Sequence, residues 1–162
     1  GLVCDLPNTP VIQFSADCPM IVIVDTKRRI FGTAHASWRG TVAGISAELV
    51  RQLVREFDAW PDSMIAAIAP CAGPDEYEVG EDVLRIANAR LRGAEAFFPR
   101  RNGRIFFDMR AANVAQLVES GVSADRIISA SASTMTDDRF YSHRREGEKA
   151  GRFALIAGFA PQ

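Results

Sequence analysis

Two apolar runs on either side of a polar turn decide the fold of this chain: MIVIV at residues 20–24, DTKRR at residues 25–29 and IFGTAHA at residues 30–36. The first run is apolar at every position, which is typical of a strand that is covered on both faces. Together the three segments predict a hairpin of antiparallel strands. In such a hairpin, the residue before the outgoing strand and the residue that ends the returning strand lie side by side. Cys18 and His35 hold these two places.

The remaining sequence mixes strand and helix patterns without strict alternation. Apolar residues at helical spacing predict amphipathic helices over residues 41–57, 81–91 and 109–120. The 41–57 helix is entered through a loop, residues 38–40. Short apolar or β-branched runs predict further strands at residues 10–14, 64–69, 104–107, 126–130 and 151–159. We therefore predict a mixed-sheet α/β sandwich that forms a single domain over residues 1–162.

Charge and cysteine content limit the classes of partner. The chain carries 19 basic and 20 acidic side chains, so no net field draws it to nucleic acid or to an anionic membrane. Three cysteines without a CxxC pair favour a reducing compartment. No apolar run is long enough to span a membrane, and no secretory signal pattern is visible. We expect a cytoplasmic protein with small-molecule partners.

Cys18 and His35 would support two kinds of chemistry if their side chains meet. A thiolate and an imidazole are ligands for Zn²⁺ or copper, although at least one further ligand is needed. Alternatively, His35 would activate Cys18 as a nucleophile. The structural alternative is a buried cysteine beside a core histidine whose nitrogens bond to the backbone.

The segment HASWRG, residues 35–40, adds a guanidinium close behind the histidine. It opens a helix, whose amino-terminal N–H groups favour anions. Arg39 is therefore a candidate for gripping phosphate or carboxylate. The alternative is a surface arginine stacked on Trp38.

A second polar cluster lies in FYSHRREGEKAGR, residues 140–152. The hydroxyl of Ser142 and the cationic or polar groups of His143, Arg144 and Arg145 are candidates for binding an anionic or sugar-bearing ligand. The alternative is a solvated hairpin.

Five motifs give the sequence a family resemblance. They are SADCPMIVIVD (15–25), AHASWRGTVAGI (34–45), APCAGPDEYEVGEDV (69–83), FFDMRAANVAQLVESGV (106–122) and FYSHRREGEKAGRFALI (140–156). In order and spacing the chain resembles the YfiH-type family, over nearly its whole length. Members of that family are known as multicopper polyphenol oxidases with a laccase domain, and as purine nucleoside phosphorylases with adenosine deaminase activity.

The resemblance implies a fold, a metal site and a substrate class. The fold is the α/β sandwich shared with cytotoxic necrotizing factor toxins. Cys18 and His35 correspond to two metal ligands, usually of zinc, with copper as the alternative. The third family ligand, a histidine, is expected upstream of Gly1, in an amino-terminal portion that this sequence lacks. The implied reaction is metal-assisted phosphorolysis of inosine or adenosine, or adenosine deamination, with Arg39, Arg144 and Arg145 holding the anion.

Two departures from the family pattern qualify this expectation. Asp75 and Glu76 stand where many relatives have a pair of cysteines, and His143 stands where a tyrosine is usual. Three cysteines and two histidines are too few to ligate a laccase copper cluster, which weakens the polyphenol oxidase reading. A cysteine hydrolase or amidase that uses Cys18 and His35, and an inactive relative that binds a partner, remain as alternatives.

Overall fold

The structure, a computed structural model that describes residues 1–160, is built around a five-stranded sheet. The strands are β1 (Leu2–Cys4), β2 (Val11–Ser15), β3 (Met20–Asp25), β4 (Ile30–His35), β5 (Ile65–Ile68), β6 (Glu78–Val79), β7 (Arg100–Arg101), β8 (Arg104–Phe106), β9 (Ile127–Ser129) and β10 (Phe153–Ala157). The α-helices are α1 (Trp38–Val42), α2 (Ile45–Phe57), α3 (Glu81–Asn88), α4 (Met109–Glu119) and α5 (His143–Glu146). Single 3-10 turns occupy Pro61–Ser63, Ala94–Phe97, Ala124–Arg126 and Gly147–Lys149.

The main sheet has the strand order β1-β4-β3-β5-β9. Strands β5 and β9 pair in parallel, whereas the other neighbours pair antiparallel. Two smaller sheets, β10-β2 and β6-β8-β7, complete the described strands. The predicted mixed α/β fold is therefore confirmed.

The β3–β4 hairpin forms where the opening stretch predicts it. Its register runs from Met20 opposite His35 to Asp25 opposite Ile30. The buried Asp25 carboxylate closes the turn, since its Oδ1 accepts hydrogen bonds from the backbone N–H groups of Lys27 (2.9 Å) and Arg28 (3.1 Å). One strand end thus carries the candidate site residues, while the other end is tied by a side-chain carboxylate.

The prediction of one continuous helix over residues 41–57 is wrong in its first part. Two helices are present, because Gly44 adopts a left-handed conformation (φ 81°) that interrupts the helical path. The expected entry loop at residues 38–40 is the start of α1, whose amino terminus is capped by the Ser37 hydroxyl accepting from the N–H of Gly40 (3.2 Å).

Helix α2 packs on one face of the main sheet with α4. Leu49 and Leu53 of α2 are buried among Ile21 and Ile23 of β3. Close approach depends on Gly32, since a Cβ at that position would lie 2.8 Å from Leu49 Cδ1. Alternate residues of β3 and β4 therefore face the helices, and His35 belongs to the set on the opposite face.

Helix α4 begins where its capping signal predicts. The Asp108 side chain accepts from the N–H of Ala111 at 2.8 Å, which confirms the predicted N-cap. Helix α3 ends at Asn88, earlier than the predicted residue 91. These two helices pack with β8 in a second apolar cluster, in which the rings of Phe98 and Phe107 stack at 4.3 Å.

A buried polar cluster joins the helices. Asn113 of α4 accepts from the Ser46 hydroxyl (2.6 Å) and donates to the Thr41 hydroxyl (2.9 Å) and to the Met109 carbonyl (2.7 Å). Asn113, Ser46 and Thr41 are all fully buried. Because these polar groups find their hydrogen-bond partners inside the core, the cluster fixes the relative positions of α1, α2 and α4.

Strand β10 returns the chain end to β2. The strand predicted at residues 151–159 is shorter, and it pairs antiparallel with β2 from Phe153 opposite Ser15 to Ala157 opposite Val11. The expected polar segment before it contains the short helix α5. No helix among residues 1–160 is both long enough and apolar enough to cross a membrane.

Candidate active site

The hairpin register brings the two predicted strand ends together. Met20 lies opposite His35, and one step further the carbonyl of Pro19 accepts from the N–H of Ala36 at 2.8 Å. Cys18 therefore comes directly after the last bonded pair, at the same end of the sheet as His35. The strand-end juxtaposition predicted from the sequence is confirmed.

Asp17 shapes the backbone in front of Cys18. It adopts φ 90°, in the left-handed region that residues other than glycine rarely occupy. Its side chain is only 6% exposed. Both carboxylate oxygens accept hydrogen bonds at 2.7 Å, Oδ1 from the Thr134 hydroxyl and Oδ2 from the backbone N–H of Arg144. Sequence reasoning missed this role, because both partners are more than 100 positions away.

The Cys18 thiol is half-buried and stays protonated more readily than an ordinary thiol. Burial raises its pKa, the neighbouring Asp17 carboxylate raises it further, and the Arg152 guanidinium opposes the two. The backbone is held as well, since the Ser15 hydroxyl donates to the Cys18 carbonyl at 2.7 Å. Without a bound cation, this environment disfavours a thiolate nucleophile.

His35 is exposed, and one of its ring nitrogens is engaged. Nδ1 lies 3.1 Å from the carbonyl oxygen of Phe14, which can only accept, so Nδ1 carries the proton in this arrangement. The lone pair then lies on Nε2. A histidine that ligates a metal commonly donates its other nitrogen to a backbone carbonyl, so the geometry suits a ligand.

Cys71 lies near Cys18, a placement that no local pattern in the sequence predicts. The N–H of Ala69 donates to the carbonyl of Met20 (2.9 Å), and the N–H of Ala72 donates to the carbonyl of Asp17 (2.8 Å). Cys71 therefore lies in the short segment between these two bonds, next to the segment that holds Cys18, and the Cys18 thiol is close enough to raise the pKa of Cys71 when ionised. Burial raises the pKa of the Cys71 thiol to about 11, with Arg110 opposing. The β3–β5 register, extended beyond its last pair, leads from Cys18 to Cys71, so the pair could be predicted only if that register were known.

Tyr77 and Arg144 form a stacked pair beside the cysteines. The Arg144 guanidinium lies 4.8 Å from the centre of the Tyr77 ring, and its Nη1 donates to the Glu78 carbonyl at 3.0 Å. Burial raises the pKa of the Tyr77 hydroxyl, the Arg144 charge lowers it, and the Cys18 thiol raises it when ionised. A flat surface that carries a positive charge suits an aromatic base or an anion.

Arg39 is exposed and stacks on its neighbour. Its guanidinium lies 4.3 Å from the centre of the Trp38 ring, as in the alternative weighed from the sequence. The stacking leaves the edge of the guanidinium available to an anion, because a cation–π contact uses only its face.

The other candidates of the 140–152 segment divide by role. Ser142 is buried and caps α5, its hydroxyl accepting from the N–H of Arg145 at 3.1 Å. The Arg145 guanidinium donates to the carbonyls of Thr134 (2.8 Å) and Phe140 (2.7 Å) and to Glu146. His143 is exposed at the start of the helix. Ser142 and Arg145 thus hold the local structure, and Arg144 is the cation at the site.

The carboxylates of the 70–79 loop are engaged by neighbours. Asp75 pairs with Arg101. The Glu76 carboxylate accepts from the Ser133 hydroxyl at 2.9 Å, and this hydroxyl in turn accepts from the N–H of Gly73 at 3.1 Å. The loop is therefore anchored to the segment that follows β9.

The thiol of Cys18 and Nε2 of His35 are the two groups at this end of the sheet whose chemistry suits Zn²⁺ or copper. Across residues 1–160, no group of three or more His, Cys, Asp or Glu side chains is gathered as a metal cluster.

The fold and the site define a mixed α/β protein with a thiol and an imidazole at one end of its sheet. The sequence profile of the family described as "Multi-copper polyphenol oxidoreductase laccase" matches residues 1–160, and the chain belongs to this family. The chain is 36% identical over 158 residues to a "Purine nucleoside phosphorylase" of Deinococcus radiodurans, covering 98% of this chain and 60% of the relative. It is 37% identical over 156 residues to "Adenosine deaminase RL5" of an unknown prokaryotic organism, covering 94% and 59%.

Solved structures give the same picture. The crystal structure of YlmD from Geobacillus stearothermophilus superposes with a TM-score of 0.92 at 28% identity, covering 98% of this chain and 60% of that one. The YfiH structure from Bacillus licheniformis superposes with a TM-score of 0.91 at 30% identity, covering 97% and 60%. The chain therefore has the YfiH-type fold, and it spans about three fifths of the length of these relatives.

Proposed function

We propose that this chain carries the catalytic site of a purine nucleoside phosphorylase that acts on inosine or adenosine. The observation that carries the proposal is the hairpin register, which puts the strand ends that carry Cys18 and His35 at one end of the sheet, with the Tyr77–Arg144 stack near Cys18. Relatives that bear this name match nearly the whole chain. The substrates are a purine nucleoside and inorganic phosphate.

In the proposed reaction, a phosphate oxygen attacks the anomeric carbon of the ribose. The bond from that carbon to the purine nitrogen breaks, and the base leaves with a proton while ribose 1-phosphate forms. Arg39 and Arg144 bind the phosphate by charge-assisted hydrogen bonds, and the Tyr77 ring stacks on the base. His143 is exposed at the start of α5, and in this proposal it contacts the ribose hydroxyls. Ser142 and Arg145 act by holding α5 in position.

Zinc is the proposed metal, with copper as the alternative, and Cys18 and His35 are its proposed side-chain ligands in this chain. A bound Zn²⁺ acts as a Lewis acid that polarises an oxygen of its ligand. The Phe14 carbonyl orients the imidazole of His35 for that role. Adenosine deamination is a second proposed reaction of the same site, because one matched relative is named for it.

A direct assay tests the proposal. The chain, and a form extended to the length of its relatives, are incubated with inosine or adenosine, with and without phosphate, after addition of Zn²⁺. We expect phosphate-dependent release of hypoxanthine or adenine together with ribose 1-phosphate, and loss of release in Cys18→Ser. Arg139→Met is the matched control, since this exposed arginine pairs with Asp137. No release by either form, with metal bound, would reject the proposal.

A further inference from the structure

Asp17 connects three distant parts of the chain at a single point. Its Oδ1 accepts from the hydroxyl of Thr134, its Oδ2 accepts from the N–H of Arg144, and its carbonyl accepts from the N–H of Ala72 at 2.8 Å. The residue that follows is Cys18. One nearly buried carboxylate therefore controls the position of the thiol and of the α5 segment that carries Arg144.

The backbone at Asp17 has a conformation that the neighbours must maintain. A left-handed φ costs a residue other than glycine of the order of 1 kcal/mol. The two side-chain bonds at 2.7 Å offset this cost, since hydrogen bonds to charged groups are stronger than neutral ones. Without them, the backbone before Cys18 is free to relax towards ordinary φ values.

We infer that Asp17 is a positioning residue that fixes the Cys18 thiol relative to Arg144 by accepting hydrogen bonds from Thr134 and from the Arg144 backbone. Its meaning for catalysis rests on the proposed function. The geometric part can be tested without turnover.

Thr134→Val is the test variant, because it removes the donor to Oδ1 and keeps both the size of the side chain and the charge of Asp17. Asp17→Asn is less suitable, since it also changes the charge beside Cys18. Thr134→Ser is the matched control, because it restores the hydroxyl. Cys4 is the internal control, since it pairs with Phe31 towards the Asp25 end of the hairpin, whereas the Cys71 carbonyl accepts directly from the N–H of Thr134.

The measurement is the rate of iodoacetamide labelling of Cys18 and of Cys4, each followed by peptide mass spectrometry. In Thr134→Val we expect Cys18 to label about tenfold faster, the change that follows from losing one hydrogen bond to a charged group. Cys4 should keep its rate, and Thr134→Ser should match the parent chain. Equal Cys18 rates in all forms, equal acceleration of Cys4, or failure of serine to restore the rate would each overturn the inference.

Two further measurements keep the inference decidable. Amides in the first turn of a helix have no intrahelical acceptor. Slow hydrogen exchange at the Arg144 amide of the parent chain would therefore report its bond to Asp17. This measurement needs only the parent chain, so it remains possible even if Thr134→Val does not fold. Fast exchange at this amide contradicts the inference. Where phosphorolysis is observed, Thr134→Val should lower kcat with little change in KM for phosphate. Absence of turnover in every form rejects the proposed function and leaves the labelling result to decide the role of Asp17.

Discussion

Cys18 and Cys71 lie on neighbouring segments where strands β3 and β5 continue past their regular pairing. The backbone bonds between Ala72 and Asp17 and between Ala69 and Met20 lie on either side of the two cysteines. The β3–β5 register, extended beyond Ile21 and Ile68, would place Cys18 opposite Cys71, and residues directly opposite in an antiparallel pair have Cα atoms about 4.5–5.5 Å apart, a separation that a disulfide can bridge. Both thiols are free in the structure.

This relationship predicts that mild oxidation with diamide links Cys18 to Cys71. Two thiols lose two protons and two electrons to the diamide as the S–S bond forms. Mass spectrometry of peptides from the oxidised, unreduced protein should show this pair. Cys71→Ser should abolish it. A bond from Cys18 to Cys4 in place of Cys71 would contradict the facing arrangement.

Two of the candidate arginines, Arg145 and Arg39, should respond differently to substitution. Arg145→Met removes donors to the carbonyls of Thr134 and Phe140, so we expect the free energy of unfolding to fall by about 2 kcal/mol. Arg39→Met removes only an exposed stack on Trp38, so stability should change by about 0.5 kcal/mol while KM for phosphate rises. Urea unfolding and steady-state kinetics measure the two effects. Equal losses of stability in the two variants would contradict a structural role for Arg145 that Arg39 does not share.

The buried carboxylate of Asp25 should make stability depend on acid. Burial raises its pKa, but the N–H of Arg28, the Ser63 hydroxyl and the N–H of Lys27 outweigh it, so the pKa is lower than usual in the folded state. Its stabilisation is then complete above the unfolded-state pKa, about 4, and is lost as the pH falls through the lower folded-state value.

The matching experiment compares the parent chain with Asp25→Asn from pH 7 to pH 2. Asparagine keeps an acceptor for the turn but loses the charge, so unfolding free energy at pH 7 should be about 1–2 kcal/mol lower. The difference between the two proteins should shrink below about pH 4. A constant difference across the range would show that the Asp25 charge plays no part.

The polar cluster among the helices predicts a large local effect. Asn113→Ala leaves the hydroxyls of Ser46 and Thr41 buried without this partner, and we expect a loss of about 2–3 kcal/mol in chemical unfolding. Val118→Ala on the same helix is the control, because Val118 is 42% exposed and should cost much less. Similar losses for both variants would contradict the importance of the cluster.

Local patterns in the sequence were sufficient for the hairpin and for α4. An unbroken apolar run with a polar turn predicts β3 and β4, and Asp108 marks the start of α4. The break at Gly44 was missed, because the apolar stripe continues across it and a single left-handed glycine leaves no mark on the period.

The candidate site was predictable only in part, since much of it depends on contacts between distant residues. The adjacency of the strand ends that carry Cys18 and His35 follows from one short turn. The place of Cys71 requires the register between β3 and β5, and the bonds of Asp17 require knowledge of where residues 134 and 144 return. The sequence predicts that Arg145 binds a ligand, because the residue type alone does not reveal that its guanidinium already donates hydrogen bonds to backbone carbonyls.

The hairpin separates the candidate site from the Asp25 turn by the length of one six-residue strand, about 20 Å. The two lysines of the sequence lie with these regions, Lys27 at the turn and Lys149 just after α5. With Lys149 changed to arginine and the terminal amine blocked, amine coupling to a sensor chip would attach the protein at its far end. Every immobilised molecule would then present the same orientation, with the candidate site towards the flowing solution.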